Sequence, residues 1–355
     1  SLYADFAYLQ MPYLPLLYAT IYKLTGTSHY LLWGRLFSFG FMAVASLLVY
    51  FISRKISGSR LVASCMVVIF GFNGVLIRTV GYSWNSVMPI PLALGGFYLF
   101  ILGMSERAGP SGAGGEGRQV KPGFILFGGL LVSLAIGTKL LYAVMAPAFL
   151  VTALLCLRSL PFRRRVVATV VPLLLGMLVG LFPVMIYLFR DVDGFMFNNL
   201  QYHRLNAVWY QLQGVTDTMS IGSKVYYISG LLAEPSNVAL SVCAVFLTLA
   251  VMRTLGAGRP STTLRAGGPA VLLSGLLVLF SAALLFMITP LADQYVAIPI
   301  LFGLLFVVCL YAGIPEEGTP YARLVLVAAA LATVFFTGPR LFKYQDRVCD
   351  VRSWT

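Results

Sequence analysis

Residues 166–189 read VVATVVPLLLGMLVGLFPVMIYLF, with no charged side chain between Arg165 and Arg190. As an α-helix rising about 1.5 Å per residue, such a stretch outruns the roughly 30 Å hydrocarbon core of a bilayer. Lipid offers no partner to stray backbone N–H and C=O groups, so a helix is the form expected there. Working outward, comparable apolar stretches fall at residues 30–53, 61–77, 87–104, 123–138, 140–157, 230–252, 270–289, 295–312 and 321–337. The expectation is an all-α, polytopic membrane helix bundle of about ten transmembrane helices.

Composition agrees. Hydrophobic residues make up 59% of the chain and charged ones 10%, with a mean hydropathy of +0.88. A soluble domain carries roughly 25% charged residues, so a water-soluble reading fails. The net charge of +13 could suggest nucleic acid, but its placement argues against that. If residues 1–29 lie outside, the inner loops collect Arg54, Lys55, Arg60, Arg107, Arg118, Lys121, Arg158, Arg163, Arg164, Arg165, Arg253, Arg259 and Arg265. The outer loops hold Lys23, Arg78, Arg190, Arg204 and Lys224. This is the positive-inside asymmetry of a multi-pass membrane protein. Its partners are membrane lipids; no basic stripe with interleaved aromatics points to nucleic acid. The tail, 338–355, carries Arg340, Lys343, Arg347 and Arg352 on the outer side of this count and runs against the rule.

A single membrane domain, 1–355, accounts for the chain. Segment 105–122 is rich in Gly, Ser and charge and reads as a flexible inner loop, as does 256–268. Two outer regions stand apart. Residues 1–29 are rich in tyrosine and interrupted by Pro12 and Pro15, so 8–25 reads as an amphipathic juxtamembrane helix rather than a span. Residues 190–229 form the longest outer connection, and loops of that length are usually functional. The five cysteines are scattered and histidines number two, so neither a disulfide framework nor a His-rich metal cage is expected.

The stretch YADFAYLQMPYLPLLYATIYKLTG carries a Tyr-x-Asp-Phe run at Tyr3, Asp5 and Phe6. A Pro-x-x-Pro-Leu segment follows at Pro12, Pro15 and Leu16, then a glycine closing a short helix at Gly26, then a span with Arg35 near its start. It resembles the end of the first outer loop of GT-C glycosyltransferases, in the RgtA/B/C/D-like and ArnT-like branch related to protein mannosyltransferases. Residues 137–148, GTKLLYAVMAPA, are similar to that family's Gly-Thr-Lys turn, and ADQYVAIPILF at 292–302 to its late tyrosine-proline span. The resemblance implies an inverting transfer of sugar from a polyprenyl-phosphate donor to a glycan, lipid or protein acceptor. The chemistry would take place at the outer face of a bacterial inner membrane. The family's principal acid stands well before the Pro-x-x-Pro-Leu segment, so sequence preceding Ser1 is expected to carry it. Asp5 is then a secondary acid or its substitute.

Such a transfer needs a carboxylate to take the acceptor's proton, a cation for the departing phosphate, and a groove for a lipid chain. Asp5 is the one acid between Ser1 and Glu106 and the candidate base; otherwise it is a solvated loop carboxylate. Lys139, at an outer span end, Arg78 and Arg204 are candidate phosphate ligands, against the alternative of snorkelling and headgroup anchoring. Tyr3, Tyr82, Asn85, His203 and Trp209 supply the amides, rings and imidazole that contact sugars, with Asp293, Gln294 and Tyr295 closing another outer turn. Tyr82 could equally belong to an aromatic belt. No cofactor follows from the residues; a divalent metal is compatible and not required. A multi-pass transporter or flippase, or a non-catalytic membrane subunit, stays open as an alternative.

Overall fold

The computed structural model describes residues 10–26, 28–81, 86–104, 120–157, 160–214, 219–256 and 262–349, and among them the chain is all-helical, with no strand. The expected positions Tyr3, Asp5, Tyr82 and Asn85 lie outside the described residues, as does most of the 105–122 loop.

Helix α1 (Tyr13–Thr25) ends at Gly26, whose φ of 59° is the left-handed conformation a glycine adopts without strain. Helix α2 (Tyr30–Ser57) stops the same way at Gly58. The expected span 61–77 is not one helix. It divides at Phe72 and Asn73 into α3 (Arg60–Gly71) and α4 (Gly74–Gly81). Asn73 explains the break: its Oδ1 accepts the Leu76 N–H at 3.1 Å, capping a fresh helix, while its Nδ2 donates to Asn237 Oδ1 at 2.7 Å. Next come α5 (Pro89–Met104) and α6 (Pro122–Thr138). Lys139 then turns extended, a 3₁₀ turn follows at Leu140–Val144, and α7 spans Met145–Leu155. Helix α8 (Phe162–Arg165) runs through a wide π turn, Val166–Val170, into α9 (Val171–Arg190), so the quoted apolar stretch is one continuous helix.

The connection read as a long outer loop is itself largely helical. It comprises α10 (Val192–Met196), a π turn (Phe197–Gln201), α11 (Tyr202–Leu212) and α12 (Ile221–Leu232). Its polar residues disguise helices whose amphipathic period is short and interrupted. Helices α13 (Pro235–Gly256), α14 (Thr262–Met287) and α15 (Asp293–Ala312) follow, then α16 (Thr319–Cys349). Helix α16 continues through Gly338 and Pro339, so the tail expected to begin at 338 starts inside a helix.

Among the described residues, six helical stretches are long and apolar enough to cross a membrane: Leu32–Ser57, Phe162–Arg190, Pro235–Arg253, Gly268–Met287, Asp293–Ala312 and Glu316–Arg340. Arg60–Gly71, Pro89–Met104, Pro122–Thr138 and Leu140–Leu155, where the remaining spans were expected, are shorter apolar helices. Leu178, Phe182 and Phe189 on α9, Val242 and Leu249 on α13, and Leu331 and Phe335 on α16 all point outward, exposed. Such faces are unfavourable in water and natural in lipid; they are those of an integral membrane protein.

Helix α15 is the hub. It packs against α14, α13, α4 and α2, and 72% of its span is buried. Helix α6 is clamped between α5 and α9 by small residues. A Cβ on Gly129 would strike the Leu173 backbone, one on Gly176 the Leu126 backbone, and one on Gly180 the Ser133 hydroxyl. Lipid gives helices no hydrophobic reason to associate, so close backbone approach through small side chains supplies the contact. Tyr13 of α1 lies against Gly137, where a Cβ would enter its ring, and its hydroxyl donates to the Gly180 carbonyl. Together these contacts bring the start of α1, the α6 and α9 C-termini and the α15 N-terminus to one end of the bundle. Lys121, at the other end of α6, marks the opposite end.

Candidate functional site

At the Lys139 end a cavity of about 800 Å³ opens between the segment before α1, the turn after α6, the π turn and α11, and the α14–α15 connection. Its walls include Gln10, Met11, Lys139, Asn199, Tyr202, His203, Arg204, Asn206, Tyr210, Thr289, Gln294 and Tyr295. Five of the residues singled out from the sequence therefore meet here: Lys139, Arg204, His203, Gln294 and Tyr295.

Lys139 is the centre of the site. It is 6% exposed, held in the turn because the helix ends at Thr138 and an extended residue swings its side chain inward. Its Nζ donates to Ser86 Oγ at 2.6 Å and approaches Gln294 Oε1 at 3.4 Å, and it stands 5.1 Å from the centre of the Tyr295 ring. Ser86 in turn donates to Gln294 Oε1 at 2.7 Å. All of these partners are neutral. Burial pulls the ammonium down from the ordinary lysine range to about 7. No carboxylate is among the described residues that line the cavity. A buried cation with neutral neighbours is stabilised when an anion enters beside it.

Asn199 adds an acceptor. Its Nδ2 donates to the Phe195 carbonyl at 3.0 Å, which fixes the amide's orientation, and its buried Oδ1 has no hydrogen-bond partner. Arg204 is exposed at the rim and His203 is exposed beside it. Trp209 lies on α11 but is 54% exposed and does not line the cavity.

Arg78 and Asp293 stand differently from the expected ligand roles. The Arg78 Nε donates to Asp293 Oδ2 at 2.8 Å and its Nη2 to Glu234 Oε1 at 2.5 Å. Tyr227 donates to the other Asp293 oxygen; burial, then the neighbouring carboxylate, holds that phenol protonated well above its usual range. Neither Arg78 nor Asp293 lines the cavity. They form a strut joining α4, the α12–α13 corner and the first turn of α15, extended by Asn73, Ser236 and Asn237. Arg78 is committed to two carboxylates because the bundle brings Glu234 to it from a distant segment, which spacing along the chain does not reveal.

Glu234, Ser86, Tyr227, Gln10, Tyr202 and Tyr210 escape the sequence reading. Glu234 carries a usable signal, an acid directly before a span. Ser86 carries none. Among the described residues no group of three or more His, Cys, Asp or Glu side chains comes together to hold a cation. No family model, no curated protein and no solved structure matches the chain.

Proposed function

We propose that the chain is a membrane glycosyltransferase of the GT-C kind. It would move a sugar from a polyprenyl-phosphate donor to a glycan, lipid or protein acceptor at the periplasmic face of a bacterial inner membrane. The observation that carries this reading is the buried Lys139 ammonium, neutrally solvated by Ser86 and Gln294, opening on a cavity lined by a second cation, Arg204, and by amides and phenols. A phosphate joined to a polyhydroxyl group matches that lining, and the cavity volume falls within the roughly 300–1,000 Å³ range of ligand pockets.

In this reading Lys139 and Arg204 hold the phosphate. The Asn199 Oδ1 accepts a sugar hydroxyl, and a tyrosine ring packs on the sugar face. Asp5 stands five positions before Gln10 in the chain, a tether of at most about 18 Å, and is the candidate base. Asp5 takes the proton of the acceptor hydroxyl as that oxygen bonds to the anomeric carbon. The bond from that carbon to the phosphate oxygen breaks with inversion, and the polyprenyl phosphate leaves with the electron pair. The two cations offset its charge. Arg78 and Asp293 serve as the strut behind the site. The carboxylates fall in loops, at helix ends or in the tail rather than in the middle of apolar helices, which favours this over a transporter.

The test is transfer of labelled sugar from a polyprenyl-phosphate donor in proteoliposomes containing the protein. Lys139→Met should lower product formation by about 10²–10³, and Asp5→Asn should reduce it; an unchanged rate for the latter removes Asp5 from the chemistry. Substrate flux across sealed vesicles with no glycosidic product would overturn the enzyme reading, as would tags placing 190–212 in the cytosol.

A further inference from the structure

Helix α11 has two unlike faces. His203, Asn206, Ala207 and Tyr210 recur at helical spacing and line the cavity. On the opposite side Leu205, Val208, Trp209 and Leu212 recur at the same spacing, all more than half exposed, with Leu212 at 80%. A helix one residue out of phase would mix these sets, so the separation is a property of the fold and not of composition alone.

The chain leads into this apolar face from surface already described as lipid-facing. Helix α9 carries Phe182, Ile186 and Phe189 outward to the point where it ends at Arg190, and the chain continues from there into α10 and α11 with Phe197 also outward. Met287, at the end of α14 on the far side of the cavity, is likewise exposed. Arg204, on the border between the two faces, lies at the cavity rim, where a guanidinium reaches phosphate at headgroup level while the apolar stripe meets the lipid chains.

We propose that α11 is seated in the bilayer interface, with Leu205, Val208, Trp209 and Leu212 among lipid chains, and that it forms the wall separating the cavity from the membrane. A ligand of this cavity is then presented from the plane of the leaflet, its polar part turning past α11 while its apolar part stays in lipid. The inference concerns α11 and the bilayer and does not depend on the transfer chemistry.

Trp209 is its own reporter. Replacing the other three tryptophans (Trp33→Phe, Trp84→Phe, Trp354→Phe) leaves Trp209 alone in the full chain. In the same background, Trp209→Phe with Tyr210→Trp moves the indole to the cavity face. Both proteins are reconstituted in phosphatidylcholine vesicles with plain or brominated acyl chains, after their elution volume and helical signal have been matched to the parent. Brominated lipid should quench Trp209 several-fold more strongly than the Tyr210→Trp reporter, and aqueous iodide should leave Trp209 nearly untouched. Strong iodide quenching of Trp209 with no effect of brominated lipid would overturn the proposal, as would equal lipid quenching of the two reporters.

Discussion

Arg78 Nε meets Asp293 Oδ2 at 2.8 Å, binding a short helix near the start of the chain to the first turn of α15. The next residue along α15, Gln294, accepts from Ser86, which also accepts from Lys139. The ion pair is thus one residue removed from the wall of the cavity, and it sets where that wall stands. Arg78 is also pinned from its other edge by Glu234, so one guanidinium fixes the relation of three elements.

Removing that guanidinium leaves Glu234 and Asp293 without their shared cation, Asp293 keeping only the Tyr227 hydroxyl. Arg78→Ala should destabilise the protein by roughly 1–2 kcal/mol, a figure kept low because Glu234 and Asp293 are 21% and 33% exposed and screened. Arg78→Lys should recover little, since one ammonium cannot reproduce the forked geometry. Thermal unfolding in detergent micelles followed by tryptophan fluorescence reads both. If Arg78→Ala melts with the parent, the strut does not hold the α15 N-terminus.

Lys139→Met keeps the volume of the side chain and removes its charge. The fold should survive, with elution and melting near those of the parent, while transfer falls by about 10²–10³, the usual cost of deleting one preorganised electrostatic group. Retained transfer would move the phosphate site away from Lys139.

The same lysine predicts a pH dependence. Burial favours its neutral form, drawing its pKa down to about 7. Below that value it carries charge and attracts an anion; as pH rises through 7 the charge is lost. Sulfate, whose own charge is constant in this window, should protect the protein against thermal unfolding at pH 6 and progressively less by pH 8.5. In Lys139→Arg the dependence should flatten, because a guanidinium stays protonated throughout.

Packing is tested at Gly176 and Gly137. Gly176→Val places a side chain into the Leu126 backbone and should cost about 1–3 kcal/mol through forced separation of α6 and α9. A broadened or aggregated profile in size-exclusion chromatography is the expected sign. Gly137→Val displaces the Tyr13 ring instead, so α1 should become sensitive to protease while the remaining helices stay protected. Equal sensitivity of α1 in variant and parent would show that this contact does not anchor it.

Much of this protein is legible one segment at a time. A stretch without charge from 166 to 189 requires a helix in lipid, and a glycine after Thr25 ends α1 as expected of a left-handed cap. The candidacy of Lys139, Gln294 and Tyr295 rests on polar residues at the ends of apolar runs, that of His203 and Arg204 on the long polar connection 190–229, and all five share one cavity. The division at Asn73 was hidden because one asparagine barely alters the hydropathy of its neighbourhood. The helices of 192–232 were hidden because their polar residues resemble loop composition.

What the sequence determined by itself is the apolar character of the surroundings and the helices of the long apolar runs: apolar length and the need to satisfy backbone groups internally act locally and can be read locally. Only the tertiary structure decided that Arg78 belongs to a strut and not to the cavity, that Ser86 and Gln294 receive the Lys139 ammonium, and that α11 turns His203 and Tyr210 inward and Trp209 outward. Those pairings depend on helix rotation and on backbones brought close at Gly129, Gly176 and Gly180. They arise between segments far apart in the chain, where no local periodicity carries the information.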